Sequence, residues 1–418
     1  MASMRRAFAF FFGISALVSG CVIFPRIDIP SKPDYHGYFK ILKREEDGSM
    51  YRFGSESSKE RRPYVDHASA DGKPLWRRSF GVLGNGGHGS FTAGAVLPDG
   101  GVLAIGAEKT QTTVAVVRLD SGGKVVWGRE IDLPAQAGAN ADLELTEDGL
   151  VALVPLGGDK GANRLHLIRI AQDGSPRWAT TVGLVGRAAK ATWSKTSGLT
   201  FLGARFVGDA GLSYQERMRI EANLDIVTRV APDGELAWMT EVRSPDGLWE
   251  LPELASTPEG DVLVAVSKTC ARCGTHDVEV ARIAGDGSVR WGLDVHRPAP
   301  PETAAEREAH IAAHRDGYIP PLPYGFVTAR DEAARDGSFE LTVTFLSGSR
   351  ANTALAVMRF GADGQLLTQH GLKNGAPAAL TTTPARLDPV KLQPVTVRTS
   401  PTDHDLGPEI ARTERTDL

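Results

Sequence analysis

Asp71-Gly72-Lys73-Pro74-Leu75-Trp76 is echoed by Gly122-Gly123-Lys124-Val125-Val126-Trp127, Asp173-Gly174-Ser175-Pro176-Arg177-Trp178, Asp233-Gly234-Glu235-Leu236-Ala237-Trp238 and Asp286-Gly287-Ser288-Val289-Arg290-Trp291. The tryptophans are 51, 51, 60 and 53 residues apart, and a sixth copy, Asp363–Thr368, ends on threonine. Between them a second glycine turn recurs at Gly100, Gly149, Gly198, Gly260 and Gly337. A period of this length means one supersecondary unit per repeat. Five of the seven tryptophans belong to it and are therefore structural in the first instance.

Working outward from one copy, Ser90–Leu97 reads as a strand, Pro98-Asp99-Gly100 as a turn and Val102–Ala107 as a second strand. Thr112–Leu119 and Lys124–Ile131 read as a third and fourth, joined through Gly122-Gly123. Asp-Gly between apolar runs is a hairpin signal, because glycine accepts the positive φ of a tight turn. Four antiparallel strands in about 50 residues, repeated, make one propeller blade per repeat. The expectation is an all-β propeller of six four-stranded blades, within a range of five to seven. Its sixth blade would be closed from both chain ends, by a fourth strand at Lys73–Phe80 and strands after residue 376. Residues 37–380 form the propeller, 298–325 an insertion within it, and 381–418 a partly disordered tail rich in proline, threonine and charge.

The repeats resemble the PQQ-like and related Asp-Gly-x-x-x-Trp propeller repeats of bacterial surface lipoproteins, over roughly residues 60–370. The resemblance implies architecture. Its nearest functional analogy is the propeller lipoprotein scaffold of the outer-membrane β-barrel assembly machinery, a likeness of fold.

The N-terminus agrees with that setting. Arg5 and Arg6 precede an apolar run, Ala7–Val18, too short to span a bilayer, then the small residues Ser19-Gly20. Leu17–Cys21 resembles a lipobox, which implies a signal peptide over residues 1–20 and acylation of Cys21. Val22 stands where an aspartate would hold a lipoprotein at the inner membrane, so the resemblance implies the outer membrane. Residues 21–36 form a tether. A net charge of −4 with both signs interspersed argues against nucleic-acid binding.

Chain order places both glycine turns of each blade at one end. The variable second-to-third loops and the connections between blades lie at the other, where binding usually resides. Three irregularities fall there: Val207–Glu221, the insertion after Trp291, and Thr269–His276 with its Cys270-x-x-Cys273 pair. An exported pair reads as a disulfide. A metal reading takes Cys270, Cys273 and His276, with His310 or His314 from a predicted helix over Thr303–His314 as a fourth zinc ligand. Thioredoxin-like chemistry is disfavoured between strands, and Gly274 occupies the place of a haem-attachment histidine. His310-x-x-x-His314 carries Ile311 where a zinc protease has its glutamate. Gly84–Gly89 matches GxGxxG without the helix that would hold a pyrophosphate.

No nucleophile elbow or phosphate loop is present in the sequence. The expectation is a non-enzymatic binding or scaffold module without a cofactor, its partners the bilayer and an envelope protein. The alternative is a metal- or small-ligand-binding protein, enzymes included, with its site on the loop-rich face or in a central channel. Quinone-dependent catalysis is suggested by the fold alone, with no residues to support it.

Overall fold

A computed structural model describes residues 39–55, 62–80, 91–106, 112–137, 141–157, 164–204, 225–243, 248–257, 259–270, 275–296, 325–330, 338–345, 354–371 and 380–405. They form six antiparallel sheets of four or five strands and contain no helix, so none that is long and apolar enough to cross a membrane.

Sheet 1 comprises β1 (Phe39–Arg44), β2 (Met50–Ser55), β3 (Pro63–Ala68) and β4 (Pro74–Ser79). Sheet 2 holds β5 (Ala93–Val96), β6 (Val102–Gly106), β7 (Thr113–Leu119) and β8 (Val125–Asp132). Sheet 3 holds β9 (Asp142–Thr146), β10 (Gly149–Leu156), β11 (Arg164–Ala171) and β12 (Pro176–Gly183), and sheet 4 holds β13 (Arg187–Ser194), β14 (Gly198–Ala204), β15 (Ile226–Val230) and β16 (Leu236–Arg243). Sheet 5 runs through β17 (Leu248–Ser256), β18 (Val262–Cys270), β19 (Thr275–Ile283) and β20 (Val289–His296). Sheet 6 runs through β21 (Gly325–Arg330), β22 (Phe339–Phe345), β23 (Ala354–Phe360) and β24 (Leu366–Gly371). Each sheet is an up-and-down meander, as the Asp-Gly turns dictate.

Period-two alternation explains how the sheets pack. Val102 and Ala104 of β6 face sheet 1, joining Tyr51, Phe53 and Val65, while Leu103 and Ile105 face Leu150, Ala152 and Val154 of sheet 3. The same sharing joins sheets 3 and 4 through Leu153 and Phe201, 4 and 5 through Leu202 and Val264, and 5 and 6 through Val280 and Met358. A middle strand covered on both faces therefore reads as a continuous apolar run. The first strands follow suit, β1 lying beside β5, β5 beside β9, β9 beside β13, β13 beside β17 and β17 beside β21.

The repeat tryptophan joins each sheet to the next. The Trp178 ring covers Gly234, whose added Cβ would lie 2.7 Å from the indole Cδ2, and its Nε1–H donates to Pro232 O at 2.9 Å. Likewise Trp76 donates to Ser121 O, Trp127 to Gln172 O, Trp238 to Gly285 O and Trp291 to Ala362 O, at 2.7–3.0 Å. The Asp-Gly turn of one sheet is thus the seat for the tryptophan of the sheet before it. Gly234 has φ +92, a left-handed conformation, so conformation and close approach both require glycine there.

One expectation changes. Among the described residues sheet 1 is built from residues 39–79, without strands from the C-terminus. Residues 380–405, within the tail read as partly disordered, carry four short strands. β25 (Thr381–Pro384), β26 (Asp388–Lys391), β27 (Thr396–Thr399) and β28 (Asp403–Asp405) pair antiparallel with β20, β16, β12 and β8 in turn. This segment forms a belt over the outer edges of sheets 5, 4, 3 and 2. Its register is regular. Pro384, Lys391, Arg398 and Asp405, spaced by seven, each oppose the residue two beyond a repeat tryptophan: Leu293, Thr240, Thr180 and Arg129. Leu387 and Leu392 reach inward from the crossings to the cores between sheets 4 and 5 and between 3 and 4, and Gly292 leaves room for Leu387.

Candidate functional site

The first strands differ from those behind them. Residues of β9 and β13 are partly exposed along most of their length, whereas β10 and β14 are buried almost throughout. A first strand has a ladder partner on one side only, and its free edge faces away from the belt.

Three of these strands carry a row of charge: Glu144 on β9, Lys190 on β13 and Glu253 on β17. Lys190 Nζ lies 2.9 Å from Glu253 Oε2, each side chain about a quarter exposed (24% and 22%). The Glu144 carboxyl accepts the backbone N–H of Trp193. Burial pushes its pKa up to about 8, with Lys190 opposing and Asp142 adding to the rise. Burial also raises the pKa of Glu253, against the pull of Lys190. At neutral pH the row therefore holds a protonated Glu144 carboxyl beside the Lys190–Glu253 contact. An acid that titrates near neutrality can donate or accept a proton toward a bound molecule.

The turn end carries a different order. Arg118, Arg169, Arg229, Arg282 and Arg359 each stand nine residues before a repeat tryptophan or Thr368, directly opposite it on the third strand. Arg118 binds Asp99 at 2.9 Å and Gln172 O of the next sheet at 3.2 Å; Arg282 binds Asp261 and Ala362 O, both at 2.8 Å. These arginines tie turns together and are structural. His166 is buried, and desolvation lowers its pKa to about 4, so it stays neutral, with Nδ1 2.8 Å from Thr181 Oγ1.

Among the residues expected to act, Cys21, Cys273, His310, His314 and the predicted helix lie outside the described residues, as do Val207–Glu221 and most of the 298–325 insertion. Cys270 ends β18 and His276 lies in β19, where the ladder pairs Cys270 with Thr275 and Thr269 with His276. That places Cys270 at the β18 end of the connection from the second to the third strand of sheet 5. Among the described residues no three His, Cys, Asp or Glu side chains are grouped to hold a metal ion.

The charged row escapes a sequence reading. Glu144, Lys190 and Glu253 stand five, eight and seven residues before their turn glycines, because turn lengths differ and the three residues stand two, four and three residues before the ends of β9, β13 and β17. The arginines were accessible, since their nine-residue spacing from the tryptophan is constant.

No family model and no curated protein matches the chain. Similar solved structures include a protein of unknown function from Bacteroides caccae, at 14% identity over 61% of this chain and 80% of that one, TM-score 0.33. Apocarotenoid oxygenase of Synechocystis is another, at 11% identity over 82% and 72%, TM-score 0.36. The cobalt-substituted form of that oxygenase aligns at 13% identity over 68% and 61%, TM-score 0.33. These neighbours correct two expectations, that the chain is not an enzyme and that it has no cofactor, and neither is retained. At such TM-scores the likeness assigns no reaction and no metal to this chain.

Proposed function

We propose that the six sheets close into a six-bladed β-propeller, tethered by lipid on Cys21 to the bacterial outer membrane, which binds a small polar ligand at its first strands. The closure rests on the belt. Successive strands of a sheet rotate by roughly 20–25°, so over four steps a fifth strand lies about perpendicular to the first. Strands that start along an axis thus end running around it. Seven extended residues reach about 23 Å; six such steps describe a perimeter of about 140 Å, suited to a ring of six sheets.

The observation that carries the binding reading is the row Glu144–Lys190–Glu253: two carboxyls and an amine on the first strands, held across three sheets. A ligand with a hydrogen-bonding or charged end can displace the Lys190–Glu253 contact and share the Glu144 proton. The test is a thermal-shift screen of small amines, carboxylates and divalent cations, at pH 6 to 9, on wild type, Glu144→Gln and Lys190→Met. A stabilising compound whose effect disappears in both variants supports the reading. Failure of every class to raise the melting temperature, or equal shifts in the variants, refutes it.

A further inference from the structure

Five tryptophans fill seats of one design, with a turn glycine under the ring and the carbonyl two residues earlier accepting the indole N–H. In three of them the residue two after the tryptophan adds a bond to that glycine's carbonyl: Arg78 to Gly123, Thr180 to Gly234 and Thr240 to Gly287, at 2.5–2.7 Å.

Sheet 1 has the same turn, with no described indole on it; its Gly72 carbonyl accepts from Arg52 at 3.5 Å. Gly72 has φ +85 and donates to Ser69 O, as the other turn glycines donate to the residue three before them. Ala70, two before Gly72, is exposed. Among the described residues no atom comes within 4 Å of a Cβ built on Gly72, whereas the other five seats have an indole at 2.5–3.0 Å. The repeat would send its side chain from sheet 6, where Thr368 stands in place of tryptophan. The face of sheet 1 turned away from sheet 2 holds a buried charge cluster. Asp66, fully buried, takes two bonds of 2.8 Å from Arg52 and two, of 2.7 and 3.2 Å, from Arg77. Sheets 1 and 6 are also the two without a belt strand among the described residues.

We infer that the Asp71-Gly72 turn is a docking seat for a tryptophan carried on an extended segment of a partner protein. The chemistry of the occupant is set by the five filled seats: a flat ring to lie on glycine, an N–H for the Ala70 carbonyl, and a hydroxyl or guanidinium two residues later. A second copy of this chain has no spare indole among its described side chains. Five are seated, and Trp193 donates to Glu147 at 2.8 Å with Arg169 stacked on its ring.

The test is isothermal titration calorimetry of the full chain with the capped peptide Pro-Arg-Trp-Ala-Thr-Thr-Val-Gly, residues 176–183, which seats its tryptophan on Gly234 in this protein. Saturable one-to-one binding is expected, weakened about tenfold or more when the peptide carries leucine for tryptophan, the factor set by about 1.4 kcal/mol. Thr368→Trp, supplying the indole from within, should abolish binding and raise the melting temperature. Gly72→Ala should abolish binding too while the chain stays folded by circular dichroism, so the test survives a misfolded Thr368→Trp. Leu367→Ala should bind as wild type. Absence of saturable heat, or undiminished binding to Gly72→Ala, overturns the inference. A dimer of the wild-type chain that Gly72→Ala dissolves overturns it in favour of a second copy.

Discussion

Gly234→Ala and Gly72→Ala make the same chemical change in the same turn conformation, φ +92 and φ +85, and should differ sharply in cost. Both place an L-residue in left-handed backbone, at roughly 1–2 kcal/mol. At Gly72 the methyl group meets no described atom within 4 Å, so the backbone strain is the effect expected. At Gly234 the methyl would lie 2.7 Å from Trp178, a ring only 5% exposed, so the indole must move. That loses its bond to Pro232 O, about 1 kcal/mol, and part of its packing, another 1–2 kcal/mol or so by comparison with the about 3–5 kcal/mol of full tryptophan truncation. The extra cost is about 2–3 kcal/mol. With an unfolding entropy of about 2.1 cal/mol/K per residue, about 0.8 kcal/mol/K for about 400 residues, this separates the melting temperatures by about 3 °C. Differential scanning calorimetry on wild type and both variants measures it. Equal melting temperatures, within 1 °C or so, would refute the account of the tryptophan seat as an energetic joint.

Four further outcomes are expected. Glu144 has a folded pKa of about 8, above its unfolded value, so its contribution is full at acid pH and is lost as pH rises toward 8; Glu144→Gln should flatten the fall in stability between pH 5 and 8, by up to about 1.4 kcal/mol per pH unit. His166, lowered to about 4, acts in the opposite sense, its contribution lost as pH falls from about 6.5, and His166→Asn should remove that acid limb in urea titrations. Leu387→Ala should weaken the belt by about 1–2 kcal/mol, given its partial burial, and speed proteolysis after residue 380 in a limited-digestion time course, leaving the six sheets intact. Metabolic labelling with radioactive palmitate should mark the wild-type chain and not Cys21→Ser; equal labelling would remove the lipid anchor from the proposal.

How far the fold was legible depends on the range of the signal. Within one repeat, strands and turns are local, and the expected Val102–Ala107, Thr112–Leu119 and Lys124–Ile131 fall within a residue of β6, β7 and β8. The belt was hidden for a physical reason. An added edge strand has one ladder partner and an open outer face, so it needs no apolar alternation, and threonine, proline and charge serve it as well as they serve a disordered tail. Only its seven-residue spacing, 384, 391, 398 and 405, betrays it, and that spacing has meaning once the partners are known.

The sequence by itself determined the repeat, the four-strand unit, five of its copies and the Trp-to-glycine vocabulary, because each is written in residues adjacent or periodic along the chain. Tertiary structure decided which glycine receives which tryptophan, since the seat lies one sheet and some 50 residues further on. It also decided that one seat has no described indole on it, that a basic side chain and two carboxyls from three different repeats share one row, and that the C-terminal segment pairs with the outer edges of four sheets. Each of these is a relation between distant segments, set by packing and register, and no single stretch of sequence carries it.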